Sequence, residues 1–119
     1  MRGTPRLLVI AGLVVAVAAC SSGGPESTKF KQTWTKSYDA TTCADWRDVM
    51  DNHQRFVAAG DFLITLRKKD GNGDLPPDEM IGAFALDMSD MCAAPAGQIA
   101  TILQLAPLVY LAFPEEFKP

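Results

Sequence analysis

The chain has 119 residues, 48% of them hydrophobic, and its 14 acidic and 11 basic side chains give a net charge of −3. Because acidic residues outnumber basic ones, most of them from Asp45 onward, the composition argues against a nucleic-acid-binding protein. The length allows one small domain, and the stretch from about Thr42 to Pro119 is near the lower limit for a core that folds unaided.

The chain begins with the pattern of an export signal. Arg2 and Arg6 precede an apolar run at residues 7–19, which is too short to span a bilayer comfortably. The following "VAAC" at residues 17–20 resembles a bacterial lipobox. This resemblance implies cleavage before Cys20, a diacylglycerol on its sulfur and usually a further acyl chain such as palmitate on its amine. The alternative is an ordinary secretory signal.

Residues 1–19 are therefore predicted to be a lipoprotein signal peptide, and residues 20–41 the lipidated cysteine and a flexible tether. In the tether Phe30, Trp34 and Tyr38 recur every four residues among lysines. The favoured interpretation is an arm whose aromatic rings pack against the domain. The other is a basic, aromatic segment lying on an anionic membrane surface.

Once Cys20 carries lipid, Cys43 and Cys92 remain as an even pair. Outside the cytoplasm such a pair is expected to form a disulfide. A metal–thiolate pair is the alternative, but the sequence has one histidine and no CxxC motif to supply further ligands.

Residues 42–119 are predicted to form a small all-α bundle of four to five short helices, linked by the disulfide and without strands. The first helix begins with Thr42 as N-cap and ends near Met50, and Asp51 or Asn52 caps the second. The second helix ends in a basic run at residues 67–69, a favourable position beside the negative end of the helix dipole.

The third helix is predicted to begin at Pro76-Pro77 and to end at Ala94-Pro95. A last apolar stretch, residues 99–113, is predicted to form two short helices because Pro107 interrupts it.

The loop between the second and third helices begins like a calcium-binding EF-hand, with glycines at 71 and 73 between its oxygen-bearing residues. The pattern fails later, since Leu75 stands where glycine is expected and Ile81 where the bidentate glutamate is expected. A tight turn with positive φ at both glycines is the favoured interpretation. The weak calcium alternative would use Asp70, Asn72, Asp74 and Asp78.

The sequence shows no credible active site, so an enzyme is not expected, nor any cofactor beyond the lipid. His53 is isolated, and Ser89 lacks a GxSxG context and a nearby base. Met80, Met88 and Met91 with Cys92 could suggest a soft-metal site, but their helical spacing is typical of a core stripe.

The stretch at residues 99–113 is apolar on nearly every face. A domain this small cannot bury such a helix on all sides, so part of it is predicted to be exposed and to contact a partner. The candidate partner-binding residues are Ile99, Ile102, Leu103, Leu105, Leu108 and Val109.

The region from Thr41 to Cys92 resembles the HdeA-like family of small exported acid-stress chaperones. The resemblance is carried by "TTCADW" at 41–46, "QRFVAA" at 54–59, "PPDEMIGAF" at 76–84 and "MSDMC" at 88–92. It implies a helical fold, a Cys43–Cys92 disulfide, an ability to form homodimers, and partial unfolding in acid that exposes surface for unfolded clients.

Two functions follow from the sequence, and both require binding instead of catalysis. The first is a lipoprotein of the bacterial cell envelope, on the extracytoplasmic face of a membrane, acting as an acid-stress holdase. The alternative is a superinfection-exclusion lipoprotein, encoded by a phage or prophage, that binds an envelope partner or blocks DNA injection.

Overall fold

The computed structural model describes residues 28–95 and 100–119, so the predictions on the signal peptide, Cys20 and Ile99 lie outside the described residues. The chain divides into two units, Met1–Lys31 and Gln32–Pro119. The described part of the first unit is a turn in which the Lys31 N–H donates to the Thr28 carbonyl over 3.1 Å.

The second unit is built from helices. A 3₁₀ turn at Tyr38–Ala40 precedes the helices, which are α1 (Cys43–Asp48), α2 (Asn52–Lys69), α3 (Asp78–Ala93), α4 (Ile102–Ala112) and α5 (Pro114–Phe117). Within the described ranges, Thr42 and Thr101 form an isolated antiparallel β-bridge. The predicted all-α fold is therefore confirmed.

The predicted disulfide is also confirmed. Cys43 and Cys92 are bonded, with 5.1 Å between their Cα atoms, and both are almost fully buried. The bond joins the first residue of α1 to the last turn of α3, so it fixes one end of the bundle.

Three helices begin with the same reciprocal cap. In α1 the Thr42 hydroxyl accepts from the Asp45 N–H while the Asp45 carboxylate accepts from the Thr42 N–H. Asp51, one of the two residues predicted to cap the second helix, does the same with Gln54 for α2. Thr101 begins α4 with a capping box of its own. Each cap satisfies N–H groups that the helix leaves unpaired.

The prediction that Pro107 separates two helices is wrong. α4 runs through Pro107, and the chain leaves the helix at Phe113, before Pro114. Pro107 removes the hydrogen bond to the Leu103 carbonyl, but both residues are exposed, so water can satisfy that carbonyl. Burial of the opposite side of α4 outweighs the lost bond.

α3 is the central helix of the domain, because it packs against each of the other four helices. Ile81, Phe84, Met88 and Cys92 form its fully buried stripe. The stripe predicted for the third helix also included Met80 and Met91, which are half-buried.

The domain begins at Gln32, ten residues before the predicted boundary at Thr42. The Trp34 indole N–H donates to the Thr41 hydroxyl over 2.8 Å. The Tyr38 ring lies 5.0 Å from that of Phe62. Two of the three aromatic residues assigned to the tether therefore belong to the folded domain.

The predicted basic end of α2 is only partly solvated. Lys68 and Lys69 are exposed, but Arg67 is buried. Its guanidinium donates to the Phe117 carbonyl over 2.5 Å and lies 3.5 Å from the Met80 sulfur. Arg67 thereby attaches α5 to the end of α2.

Candidate functional site

The serine considered as a nucleophile has a structural role. Ser89 accepts a hydrogen bond from the Trp46 indole N–H over 2.9 Å and donates to the Ala85 carbonyl over 3.1 Å. Trp46 is fully buried. The bond from its indole N–H to Ser89 satisfies the only polar atom of the Trp46 side chain and holds α1 against α3.

The side chains of the EF-hand-like loop bond within the protein. The Asp70 carboxylate accepts from the Tyr110 hydroxyl over 2.6 Å and lies 3.8 Å from the Lys118 ammonium. The Asn72 side chain accepts from the Asp74 N–H over 2.9 Å, which closes a local turn. Of the two glycines predicted to have positive φ, Gly71 does, at 100°, and Gly73 does not.

Within the described ranges, no three acidic, histidine or cysteine side chains are grouped as a metal site would require. Met88 and Cys92 are fully buried in the core, and Met80 faces Arg67. Met88 and Cys92 therefore belong to a core stripe, whereas Met80 and Met91 are half-buried at its edge.

The predicted partner-binding residues divide between the core and the surface. Ile102, Leu105 and Val109 are buried, so they are not exposed to a partner in the folded domain. They supply the side of α4 that packs on α3. Leu103 and Leu108 are 46% and 54% exposed and remain available to a partner.

The exposed side of α4 forms a largely apolar surface with more residues than the sequence predicted. Besides Leu103 and Leu108 it includes Pro107, Leu111, which is 63% exposed, and Phe113, which is 43% exposed. These five residues are called the α4 surface below. The sequence from 101 to 114 contains no charged residue, so the exposed side of α4 is uncharged, and the exposed Gln104 is a polar residue on it. An apolar patch of this kind usually marks an interaction site.

A cleft of about 260 Å³ adjoins the α4 surface, between the 3₁₀ turn, α2 and α4. Phe62 and Leu66 line it from α2, with Leu103 from α4. At its edge the Tyr38 hydroxyl donates to the Asp61 carboxylate over 2.7 Å. Burial and this bond raise the pKa of Tyr38 far above its ordinary value, so the hydroxyl stays a neutral donor.

Leu111 and Pro107 were missing from the predicted binding residues because Pro107 was taken as the end of a helix. Continuing the helical spacing from Leu103 through 107 to 111 would have placed all three on one side. The contribution of α2 to the cleft has no signal in the sequence, since it depends on how two helices pack.

No helix in the described part of the chain is long and apolar enough to cross a membrane. No family model, curated protein or solved structure matches the chain. The structure alone therefore defines the class of protein. It is a small all-α domain with one disulfide, and one of its helices exposes an uncharged, largely apolar surface.

Proposed function

We propose that this protein is a lipid-anchored binding protein of the bacterial envelope, not an enzyme, and that the α4 surface contacts its protein partner. The exposure of Leu103, Leu108 and Leu111 in the folded domain carries the proposal. The lipobox-like "VAAC" at residues 17–20 supports attachment through Cys20, which would hold the domain at the membrane.

The partner should be apolar and not rely on charge at the point of contact. Burying a leucine side chain that is half exposed removes apolar area from water, at roughly 25 cal/mol per Å². A few such residues around Pro107 supply the centre of a protein interface, while the polar residues around it exclude water. Folded partner proteins, unfolded clients and a second copy of this chain share that chemistry.

The acid-stress holdase is one form of this proposal, following the resemblance to HdeA-like proteins. In acid the carboxylates lose charge, the domain becomes positively charged, and the fold loosens. Ile102, Leu105 and Val109, which are buried at neutral pH, would then join the α4 surface in holding clients.

Two carboxyl groups respond to acid in opposite directions. The hydrogen bond from Lys36, aided by the Thr42 N–H, holds the pKa of Asp45 below its ordinary value, so its stabilising contribution is lost as the pH falls. Burial, with nearby Glu116, raises the pKa of Asp87, so protonating Asp87 favours the folded state. Since these two groups act in opposite directions, we assign acid opening to the summed positive charge of the domain.

Asp87→Asn tests this assignment. We expect the melting temperature at neutral pH to rise by about 1–3 °C, because the substitution removes a charge that the folded state disfavours. The gain should shrink as the pH falls through the raised pKa of Asp87 and vanish below about pH 3, where the carboxyl is protonated in both states. Thermal melts across this pH range, followed by circular dichroism, measure it.

Asp74→Asn is the control for Asp87→Asn, because it removes the same charge from an exposed loop position. It should leave the melting temperature nearly unchanged at each pH. A gain from Asp87→Asn that persisted unchanged in acid would contradict the role of its charge.

The superinfection-exclusion lipoprotein is the second form of the proposal. The α4 surface is exposed in the folded domain, so a specific envelope partner could bind without acid opening. The two forms differ in pH dependence: exclusion requires binding at neutral pH to one partner, whereas a holdase gains activity in acid towards many clients.

Leu108→Ser tests the binding surface. It should reduce suppression of citrate synthase aggregation by about threefold or more, while changing stability by less than about 0.5 kcal/mol because the side chain is exposed. The measurement is light scattering from acid-unfolded citrate synthase after neutralisation, with a form of the protein that begins at Ser21. Adding Leu103→Ser should deepen the loss.

Leu75→Ser is a matched control, since Leu75 has the same 54% exposure as Leu108 but lies in the loop before α3. Equal effects of the two substitutions would count against a specific surface. If the wild-type protein fails to suppress aggregation yet captures one envelope protein in a Leu108-dependent manner, the exclusion form is favoured.

A further inference from the structure

A second cleft, separate from the α4 surface, lies between α1, the start of α2 and α3. Its volume is about 490 Å³, and its charged lining residues are Arg47 and Arg55. None of its lining side chains is a carboxylate, although the chain as a whole has a net charge of −3. The cleft is therefore a local concentration of positive charge.

Arg55 is held in place with donors to spare. One terminal nitrogen donates to the carbonyls of Trp46 over 2.7 Å and Met50 over 2.6 Å, and the other donates to the Asn52 side-chain oxygen over 2.7 Å. A guanidinium has five N–H donors, so two remain. No carboxylate in the described ranges forms an ion pair with the Arg55 guanidinium. Its three hydrogen bonds hold it in one orientation.

Arg47 and Asn52 add to the donor set. The Arg47 side chain is exposed and forms no ion pair with any residue that the structure describes. Because the Asn52 oxygen accepts from Arg55, its amide nitrogen is left as a donor. The cleft therefore offers hydrogen-bond donors from three side chains, Arg47, Asn52 and Arg55. The two arginines also carry positive charge.

The cleft has room for more than a simple ion. A Cβ atom added to Gly82 would meet nothing within 4 Å, so the wall formed by α3 is open. Phe56 and Leu86 give the cleft an apolar side, and Leu86 is 68% exposed. A ligand that fits this cleft has an oxyanion to bind the arginines and an apolar group to contact Phe56 and Leu86.

We propose that this cleft binds an organic phosphate ester, with the phosphate on Arg47 and Arg55 and its organic part against Phe56 and Leu86. Arginine matches phosphate oxygens with paired N–H donors and stays charged at every physiological pH. The phosphate can belong to a soluble ester or to an anionic lipid headgroup, since both offer the same chemistry. The site shares no residue with the α4 surface and does not depend on the function proposed for it.

The test uses the full-length protein in micelles of a nonionic detergent, with phenyl phosphate as the soluble probe. Titration should shift the side-chain Nε NMR signals of Arg47 and Arg55 in a saturable manner. Arg47→Gln should weaken binding about tenfold by removing a charge-assisted contact. Arg55→Lys, which keeps the charge but loses the planar fork, should weaken it by a similar factor.

Lys68→Gln is the control, because it removes one positive charge at an exposed position outside the cleft. It should change the affinity for phenyl phosphate by less than about twofold. Arg55 also bonds to backbone carbonyls, so a thermal melt must show that Arg55→Lys is folded. If it is not, Arg47→Gln alone decides, since the Arg47 side chain is exposed and forms no ion pair with any residue that the structure describes.

Phosphatidylglycerol added to the micelles identifies the source of the phosphate. If it displaces phenyl phosphate in an Arg47-dependent manner, the ligand is a lipid headgroup, and otherwise it is a soluble ester. The absence of a saturable shift with both probes up to about 10 mM, where even weak sites fill, would overturn the proposal. Equal weakening by Arg47→Gln and Lys68→Gln would also overturn it, because binding would then follow net charge alone.

Discussion

Replacing Cys43 and Cys92 together by alanine is expected to lower the free energy of unfolding by roughly 4 kcal/mol. The disulfide joins residues separated by 49 positions, so its loss gives the unfolded chain a large increase in conformational freedom. A domain of this size has a total stability on the order of 5–15 kcal/mol, and the double variant should be close to unfolding at 37 °C. Urea unfolding at neutral pH, followed by circular dichroism, measures the change.

Reduction of the wild-type protein separates the bond from the packing of the two side chains. Both cysteines are almost fully buried, so alanine also removes some contacts. If the cross-link provides most of the stability, the reduced wild-type protein should lose nearly as much as the double variant. A loss below about 1 kcal/mol in both would show that the helices hold the fold without the bond.

Helix starts were the most predictable feature of the sequence. Thr42 caps α1 as predicted, and Asp51, one of the two candidates, caps α2. A cap depends on residues three apart in the chain, so the sequence contains all of its chemistry. The disulfide was predictable for a similar reason, because Cys43 and Cys92 were the only cysteines left to pair once Cys20 was assigned to lipid.

The surfaces of α4 were not predictable, because its sequence is apolar all round. Periodicity identifies a buried side only where polar residues mark the other side. In α4 the difference between buried Val109 and exposed Leu108 depends on the position of α3. Burial on that side also kept the helix continuous through Pro107, against its local preference.

The end of the chain shows the same limit. Glu115 and Glu116 are exposed, but Phe117 beside them is fully buried. Arg67 was predicted in the basic end of a helix, and it also lies buried against the Phe117 carbonyl. A buried charge is costly unless it is well bonded, and the Arg67 Nε atom has no partner in the described structure. Packing of the Phe117 side chain must offset that cost.

Phe117→Ala should therefore destabilise the protein by about 3–5 kcal/mol, the range for truncating a buried aromatic side chain. The Phe117 ring lies edge-on to that of Phe84, with 5.0 Å between their centroids, and its loss leaves a cavity on α3. Chemical denaturation at neutral pH measures the change. Phe113→Ala is the matched control: Phe113 is 43% exposed and its ring lies 6.4 Å from that of Phe117, so it should cost less than about 1.5 kcal/mol. Equal losses from the two substitutions, or a loss below about 1 kcal/mol for Phe117→Ala, would mean that α5 is an appended tail and not part of the core.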